Sequence, residues 1–311
     1  MRGKIVRAVG GFYFVQCPED GQTWQCRARG IFRKDGFRPL VGDECEIRLT
    51  GAQDVEGYVE EVLPRRNELI RPPVANIDQA LVVFALAEPD PNLSLLDRYL
   101  IEMRRRSIPA VIVFNKKDLV TEQETAQMQS IYEKCGCPSM AISLKEIRNR
   151  AGTRPEEGAG TKEADDPMRA LKEVLKGKTT VLAGPSGAGK SSLTNLLCPE
   201  AGMEVGEVSR QTRRGKQTTR HAQLISLGPD TFLLDTPGFS SLDLSAPDPE
   251  DLKEWYPEFL PFEPDCRFQG CMHLKEPDCG VKDAVGKGLI AKERYESYCL
   301  LVNELKERRR Y

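Results

Sequence analysis

Asn115-Lys116-Lys117-Asp118 closes an apolar run, Val111-Ile112-Val113-Phe114, and Gly184-Pro185-Ser186-Gly187-Ala188-Gly189-Lys190-Ser191 comes only much later in the chain. The second string has the form G-x-x-x-x-G-K-S. It lies between a strand-like run, Thr179-Thr180-Val181-Leu182-Ala183, and a helix-like segment from Ser191 to Leu197. That strand–loop–helix context marks a phosphate-binding loop. Its glycines let successive N–H groups turn inward without Cβ clashes, and the helix N-terminus adds a favourable dipole. In the first string, Asp118 can accept hydrogen bonds from the N1–H and exocyclic amine of guanine, a donor pair that adenine lacks. An ordinary G domain carries the phosphate loop first. The inverted order specifies GTP over ATP and a circularly permuted domain.

The remaining parts of such a site can be named. Asn115 bonds the opposite edge of the base and braces the loop, and the Lys116 stem lies along the ring, with Lys117 beside it. The companion loop that contacts the guanine O6 follows the next strand, at Ile142-Ser143-Leu144-Lys145, which makes Ser143 a candidate. Lys190 reaches the β- and γ-phosphates, the Ser191 hydroxyl ligates Mg²⁺, and Ser192 continues the loop. Asp235-Thr236-Pro237-Gly238 follows the strand-like run Thr231–Leu234. Asp235 would hold Mg²⁺ through a water, and the Gly238 N–H would sense the γ-phosphate. Between these motifs, Arg213-Arg214-Gly215-Lys216-Gln217-Thr218-Thr219-Arg220 supplies hydroxyls in a polar loop, as a switch segment requires. One of Thr218 and Thr219 completes the Mg²⁺ shell; the sequence does not say which.

At 311 residues the chain has room for two or three domains with cores of their own. Residues 1–72 alternate in the manner of short strands, at Lys4–Arg7, Phe12–Val15, Thr23–Ala28, Glu44–Leu49 and Gly57–Val62, which predicts a small OB-type barrel. Its Arg27–Lys34 segment combines cations with Phe32. This is the mixture of a single-strand RNA surface and equally that of a solvated hairpin loop. Arg71-Pro72-Pro73 reads as a linker. Residues 73–245 then alternate strands (Gln79–Ala87, Ala110–Phe114, Ser139–Ile142, Thr179–Ala183, Thr231–Asp235) with amphipathic helices, which predicts an α/β domain with a mostly parallel sheet. Residues 149–167 read as a flexible acidic insertion.

Residues 246–311 carry Cys266, Cys271, His273 and Cys279, spaced C-x4-C-x-H-x5-C, followed by a helical tail from Ile290 to Tyr311. Three thiolates and one imidazole fill a tetrahedral Zn²⁺ and leave no open position, which fits a structural metal. The Pro-rich surroundings offer little core, so zinc would supply folding energy there. The rival readings are buried free cysteines or a redox pair. Cys135-Gly136-Cys137 reads as structural, and Cys17, Cys26, Cys45, Cys198 and Cys299 carry no functional reading. No apolar run approaches the roughly 20 residues that span a bilayer, and Met1-Arg2-Gly3-Lys4 leads straight into strand-like sequence, so a cytoplasmic location is expected. A net charge of −2 gives no global argument for nucleic-acid binding and leaves it to local patches. Nothing in the tail reads as a dimer helix, so a monomer is expected.

Taken together, the N-terminal barrel, N-K-K-D, G-P-S-G-A-G-K-S-S, G-K-x-T-T, D-T-P-G-F and C-x4-C-x-H-x5-C, in that order, resemble the circularly permuted ribosome small subunit-dependent GTPases of the RsgA type over nearly the whole chain. The resemblance implies an OB domain and a zinc domain flanking the G domain. It also implies slow GTP hydrolysis stimulated by the small ribosomal subunit, contact with 16S rRNA, and a role in late subunit maturation that includes release of an assembly factor. Two readings compete with it: a nucleotide-gated RNA-binding protein with incidental hydrolysis, and a permuted GTPase of large-subunit assembly. The chain departs from the family pattern at two places. Gln217 stands where the family usually has His; an amide orients water but cannot act as a base near neutral pH. Ser143-Leu144 replaces the more usual Ser-Ala pair. Phe239 stands where many GTPases carry a water-orienting glutamine, so slow intrinsic hydrolysis is expected, and His221 is a further polar candidate. Because Asp235 runs on in sequence towards the cysteine cluster, nucleotide state is expected to move Cys266–Cys279 and the tail.

Overall fold

The computed structural model describes residues 1–34, 36–50, 56–70, 72–152, 166–199, 222–235 and 248–309. Strands β1 (Arg2–Val9), β2 (Phe12–Gln16), β3 (Thr23–Ala28), β4 (Glu44–Leu49) and β5 (Gly57–Val62), with the helical turn α1 (Gly30–Lys34), build the N-terminal unit. Alternation turns Ile5, Val15, Cys26, Cys45, Ile47 and Val59 inward onto one buried core. The strands run in the order β1-β2-β3-β5-β4, β3 and β5 are parallel, and β4 returns to pair with β1. This closes the OB-type barrel and leaves few free edges. The expected linker is more ordered than its prolines imply. Pro72-Pro73 lies in the turn of a hairpin, β6 (Glu68–Leu69) with β7 (Val74–Ala75), and Val74 bridges to Val41 of the barrel.

The α/β unit follows as β8 (Gln79–Ala85), α2 (Leu93–Arg105), β9 (Ala110–Asn115), α3 (Glu122–Glu133), β10 (Ser139–Ala141), α4 (Leu144–Gly152), α5 (Pro167–Leu175), β11 (Thr179–Ala183), α6 (Lys190–Leu197), β12 (Gln223–Gly228) and β13 (Thr231–Asp235). Its sheet runs β10-β9-β8-β11-β13-β12, parallel except for the antiparallel edge strand β12. Every residue of β8 is buried. Ala80, Val82 and Phe84 face one core while Leu81 and Val83 face the other, as a central strand covered by helices on both sides requires. β12 escaped the sequence reading because only Leu224 of its six residues is buried, so its pattern is faint. Of the expected acidic insertion, residues 149–152 belong to α4, and Asp166 caps α5 by accepting from the Met168 N–H at 3.0 Å. Residues 153–165 lie outside the described residues.

The barrel and this sheet are continuous. Arg7 of β1 pairs with Gln223 of β12, and the Lys4 ammonium donates to the Thr179 hydroxyl at 2.9 Å while lying 5.1 Å above the Phe232 ring. After residue 248, two 3-10 turns (Leu252–Trp255, Leu260–Asp265), α7 (Gly280–Gly286) and α8 (Lys292–Arg308) enclose a further core. Tyr256, Phe259, Tyr298 and Val302 pack there with Ile101, which α2 contributes from the α/β unit. Beside that contact, Arg294 of α8 is buried against two carboxylates. It forms a close ion pair with Asp97 of α2, and its Nε donates to Glu258 at 2.7 Å. Tyr132 and Tyr256 also donate to the Asp97 carboxylate, at 3.2 and 3.4 Å. Among the described residues no helix is long and apolar enough to cross a membrane.

Candidate functional site

β11 occupies the middle of the sheet, between β8 and β13, so the loop after it opens at the carboxyl end of three parallel strands. This is where open α/β sheets bind ligands. Two glycines are sterically obligatory in that loop. At Gly184 (φ +135°) a Cβ would lie 2.1 Å from the Val83 carbonyl oxygen, and at Gly189 (φ +108°) it would lie 2.3 Å from Asn115 Nδ2. Ser186 and Gly187 are exposed, whereas Ala188 is fully buried and anchors the loop. Gly189 caps α6, which begins at Lys190 and carries Ser191 and Ser192, both half-buried, in its first turn. The Lys190 ammonium folds back to donate to the carbonyls of Gly184 and Pro185, each at 2.7 Å. Burial lowers its pKa from the usual lysine value. A half-buried cation whose hydrogen-bond partners are carbonyl dipoles is a strong site for the negative charge of a polyphosphate.

The N-K-K-D residues stand directly against this loop. Asn115 ends β9 and is buried; its Nδ2 donates to the Ala188 carbonyl at 2.8 Å and its Oδ1 accepts from the Leu144 N–H at 3.2 Å. One side chain thus ties the phosphate loop to both base loops. Lys116 adopts a left-handed backbone (φ +65°) and donates to the Glu88 carbonyl, while Lys117–Leu119 form a single 3-10 turn. Lys117 pairs with Glu122 at 3.0 Å. Asp118 accepts from the Ser143 hydroxyl at 2.6 Å, and the Lys145 ammonium lies 3.9 Å from its other oxygen. Ser143 also accepts from the Glu146 N–H at 3.2 Å, so its hydroxyl is fixed from both sides.

The structure therefore brings together Asn115, Lys116, Asp118 and Ser143 with the loop from Gly184 to Ser192, and Asp235 ends the strand two places from β8. The Asp235 side chain and residues Gln217, Thr218, Thr219, His221, Gly238 and Phe239 lie outside the described residues. Two participants escaped the sequence reading. Glu88-Pro89 follows β8; Glu88 receives Lys116, and Pro89 lies within 3.6 Å of a Cβ built at Gly187. The double-proline string Pro89-Asp90-Pro91 directly after a buried strand was the available signal. Lys145, beside Asp118, was named only as part of its loop.

In the C-terminal unit the sulfur and nitrogen atoms of Cys266, Cys271, His273 and Cys279 all lie within 4.8 Å of one another. The sulfurs of Cys266 and Cys271 stand 3.9 and 3.8 Å from that of Cys279, and His273 Nδ1 stands 3.6 and 3.4 Å from Cys266 and Cys279. A tetrahedral Zn²⁺ with ordinary bond lengths separates its sulfur ligands by roughly 3.8 Å and sulfur from nitrogen by roughly 3.5 Å. The four separations match those values, and three thiols with one imidazole are the donor set of a structural zinc site. On the far side of the imidazole, Nε2 meets Glu263 at 3.2 Å, and Glu263 is itself 3.6 Å from Lys253. A carboxylate behind a ligand histidine fixes its tautomer and orientation. The backbone around His273 (φ +57°) is held by Tyr295 and Tyr298, whose hydroxyls donate to the carbonyls of His273 and Met272.

Comparison with known proteins follows the same lines. Residues 62–156 and 157–245 match the family model described as RsgA GTPase, and residues 2–59 match the RsgA N-terminal domain. A protein of Agathobacter rectalis named small ribosomal subunit biogenesis GTPase RsgA is 47% identical over the whole of both chains. One of Alkaliphilus metalliredigens with the same name is 43% identical over all of this chain and 99% of its own. Among solved structures, YloQ, described as a circularly permuted GTPase, is 35% identical with a TM-score of 0.76, covering 99% of this chain and 95% of its own. YjeQ from Thermotoga maritima is 33% identical with a TM-score of 0.77, covering 98% of each. With a guanine loop preceding a phosphate loop in sequence and hydrogen-bonded to it in space, this chain belongs to the RsgA family of circularly permuted GTPases.

Proposed function

We propose that the protein is a cytoplasmic, Mg²⁺-dependent GTPase of small ribosomal subunit maturation that binds 16S rRNA, hydrolyses GTP slowly when free and faster on the subunit, and couples hydrolysis to release of an assembly factor. The observation that carries this reading is the Asn115–Ala188 hydrogen bond, which joins the guanine and phosphate loops into one site. The chain holding that site aligns end to end with proteins named for small-subunit biogenesis.

In this reading Asp118, aimed by Ser143, accepts from the guanine donors. Asn115 braces the site, and Lys116 and Lys117 flank the ring. The backbone from Gly184 through Ser192 surrounds the phosphates, and Lys190 exchanges its carbonyl partners for phosphate oxygens. Ser191 and Asp235 would hold Mg²⁺, with Thr218 or Thr219, and the ion would supply positive charge to the phosphates. Gln217 orients the attacking water, and the Gly238 N–H meets the γ-phosphate. Phe239 offers no hydrogen bond to that water, which keeps the free enzyme slow. Cys266, Cys271, His273 and Cys279 hold one structural Zn²⁺. The working units are residues 1–72, 73–245 and 246–311, in a monomer.

The test is sedimentation of the full chain with ribosomal subunits. Loaded with a non-hydrolysable GTP analogue, the protein is expected to travel with small subunits and to leave them when loaded with GDP. Travel with large subunits, or binding indifferent to nucleotide, would contradict the proposal.

A further inference from the structure

Cys135-Gly136-Cys137 makes the turn from α3 into β10, and both of its thiols are buried. Gly136 lets the chain reverse there by taking a left-handed backbone (φ +73°), and the N–H groups of Cys135 and Cys137 both donate to the Tyr132 carbonyl at 3.2 Å. The Cys135 sulfur lies 3.0 Å from that carbonyl and within hydrogen-bond reach of the Cys137 sulfur. The buried thiols of the barrel, Cys17, Cys26 and Cys45, are pushed up in pKa by burial, Cys26 to about 12. Cys137 goes the other way. The hydrogen bond from Cys135, with Arg104 and Arg294 acting in the same sense, brings it down to about 7 against the opposing effect of burial. Giving that hydrogen bond, together with burial, raises Cys135. A thiol that ionises near neutral pH is the best placed to attack a disulfide, and here a second thiol stands beside it.

The geometry of the turn suits a bond between the two sulfurs. Residues separated by one other are at most about 7 Å apart at Cα, and a turn brings them into the roughly 4.4–6.8 Å range that a disulfide spans. The C-terminal unit covers the same turn. The Lys134 ammonium donates at 2.7 Å to the carbonyl of Gly288, which lies between α7 and α8. The Arg294 guanidinium of α8 stands 5.6 Å from the centre of the Tyr132 ring, and Ala291, which caps α8, shares one buried cluster with Tyr132, Cys135 and Cys137. A reagent in solution therefore meets these thiols when the contact between α3 and the C-terminal unit opens.

We infer that Cys135 and Cys137 are a reversible dithiol–disulfide site for small disulfides of the glutathione class, with access governed by docking of the C-terminal unit. The Cys137 thiolate attacks one sulfur of the small disulfide, which forms a mixed disulfide and expels one thiolate. Cys135 then loses its proton and attacks the Cys137 sulfur, which expels the second thiolate and closes the internal bond. The protein gives up two electrons and two protons, and the small disulfide takes them up as two thiols. Excess small thiol reverses both steps. In a reducing compartment such a pair acts as a sensor and not as a permanent staple. The turn thus carries chemistry that its sequence reading as a structural pair did not assign, and the site stands independently of the proposed function.

The experiment incubates the full, zinc-loaded chain with glutathione disulfide, alkylates the remaining thiols, digests with trypsin and weighs the peptides. Cleavage after Lys134 and Lys145 releases Cys135–Lys145, which holds these two cysteines and no others. That peptide is expected to escape alkylation and to be lighter than its reduced form by two hydrogens, and dithiothreitol is expected to restore alkylation of both cysteines. In C135S the second thiol is gone, so Cys137 is expected to retain glutathione as a stable mixed disulfide. K134M loses the hydrogen bond to Gly288 and is expected to be oxidised about fivefold faster. Alkylation of both cysteines after the incubation, glutathione retained on one of them in the wild type, or a bond from this peptide to another would overturn the inference, as would an unchanged rate in K134M. Should the variants not fold, the wild-type digest repeated at stepped urea concentrations decides. Oxidation that accelerates below the global unfolding transition supports opening of the C-terminal contact, and oxidation that appears only with global unfolding refutes it.

Discussion

Ser143 and Glu263 do the same job at two different sites: each holds a residue that would meet a ligand. The Ser143 hydroxyl fixes the Asp118 carboxylate at 2.6 Å, and losing one such hydrogen bond costs about 1 kcal/mol. S143A is therefore expected to weaken GTP binding about fivefold in calorimetric titration and to leave turnover at saturating GTP unchanged; an unaltered affinity would show that Asp118 needs no orienting partner. Glu263 stands behind the imidazole of His273. E263Q is expected to lower zinc affinity by about 10- to 100-fold in competition with a chromogenic chelator, with the Cys3His set intact. The Cys3His cluster and the N-K-K-D string were legible in the sequence because both are short strings with fixed spacing. Their supporting partners were not. The Ser143–Asp118 bond exists only because β9 and β10 are adjacent in the sheet, and Glu263 reaches His273 from a 3-10 turn that no periodicity announces.

At the scale of elements, packing is fixed by a few buried polar contacts. Between α2 and α8, Arg294 neutralises charge that Asp97 and Glu258 would otherwise leave buried, and burial holds the Asp97 carboxyl above its usual pKa. Removing one partner of a buried ion pair costs about 3–5 kcal/mol. R294A is expected to lose that much in urea unfolding, and D97N/E258Q/R294M is expected to lose less; equal losses would mean that packing and not charge is at stake. At the barrel junction, burial lowers the pKa of Lys4, against the smaller opposing pull of Asp78 and Glu44. The folded state then binds fewer protons than the unfolded state between the lowered value and the ordinary 10.5. Stability relative to K4M should thus rise with pH through that alkaline window, which urea titrations at stepped pH would detect; a flat difference would contradict it. Strands such as β3, β4 and β11 were readable to the residue because alternation or continuous apolar character is strong in them. β12 has one buried residue and was missed, and the prolines that suggested a linker in fact turn a hairpin.

For the whole molecule, β13 runs on in sequence towards the cysteine cluster, so that unit is expected to follow nucleotide state. It is also anchored to α2, through the Arg294–Asp97 ion pair, the Arg98–Glu304 pair and a shared core containing Ile101. α2 follows β8 and the Glu88 turn that receives Lys116, so the unit with the cysteine cluster is tied to the half that carries the N-K-K-D loop. The barrel is joined to the opposite edge of the sheet through β12 and Lys4. The two outer units thus contact the α/β unit at separate places, one on α2 and one on β12. The most direct test is steady-state GTP turnover by the full, zinc-loaded chain with and without purified small ribosomal subunits. Turnover is expected to rise at least about tenfold, one factor of 1.4 kcal/mol in barrier, with small subunits and not with large ones. Equal rates with and without small subunits would contradict the account.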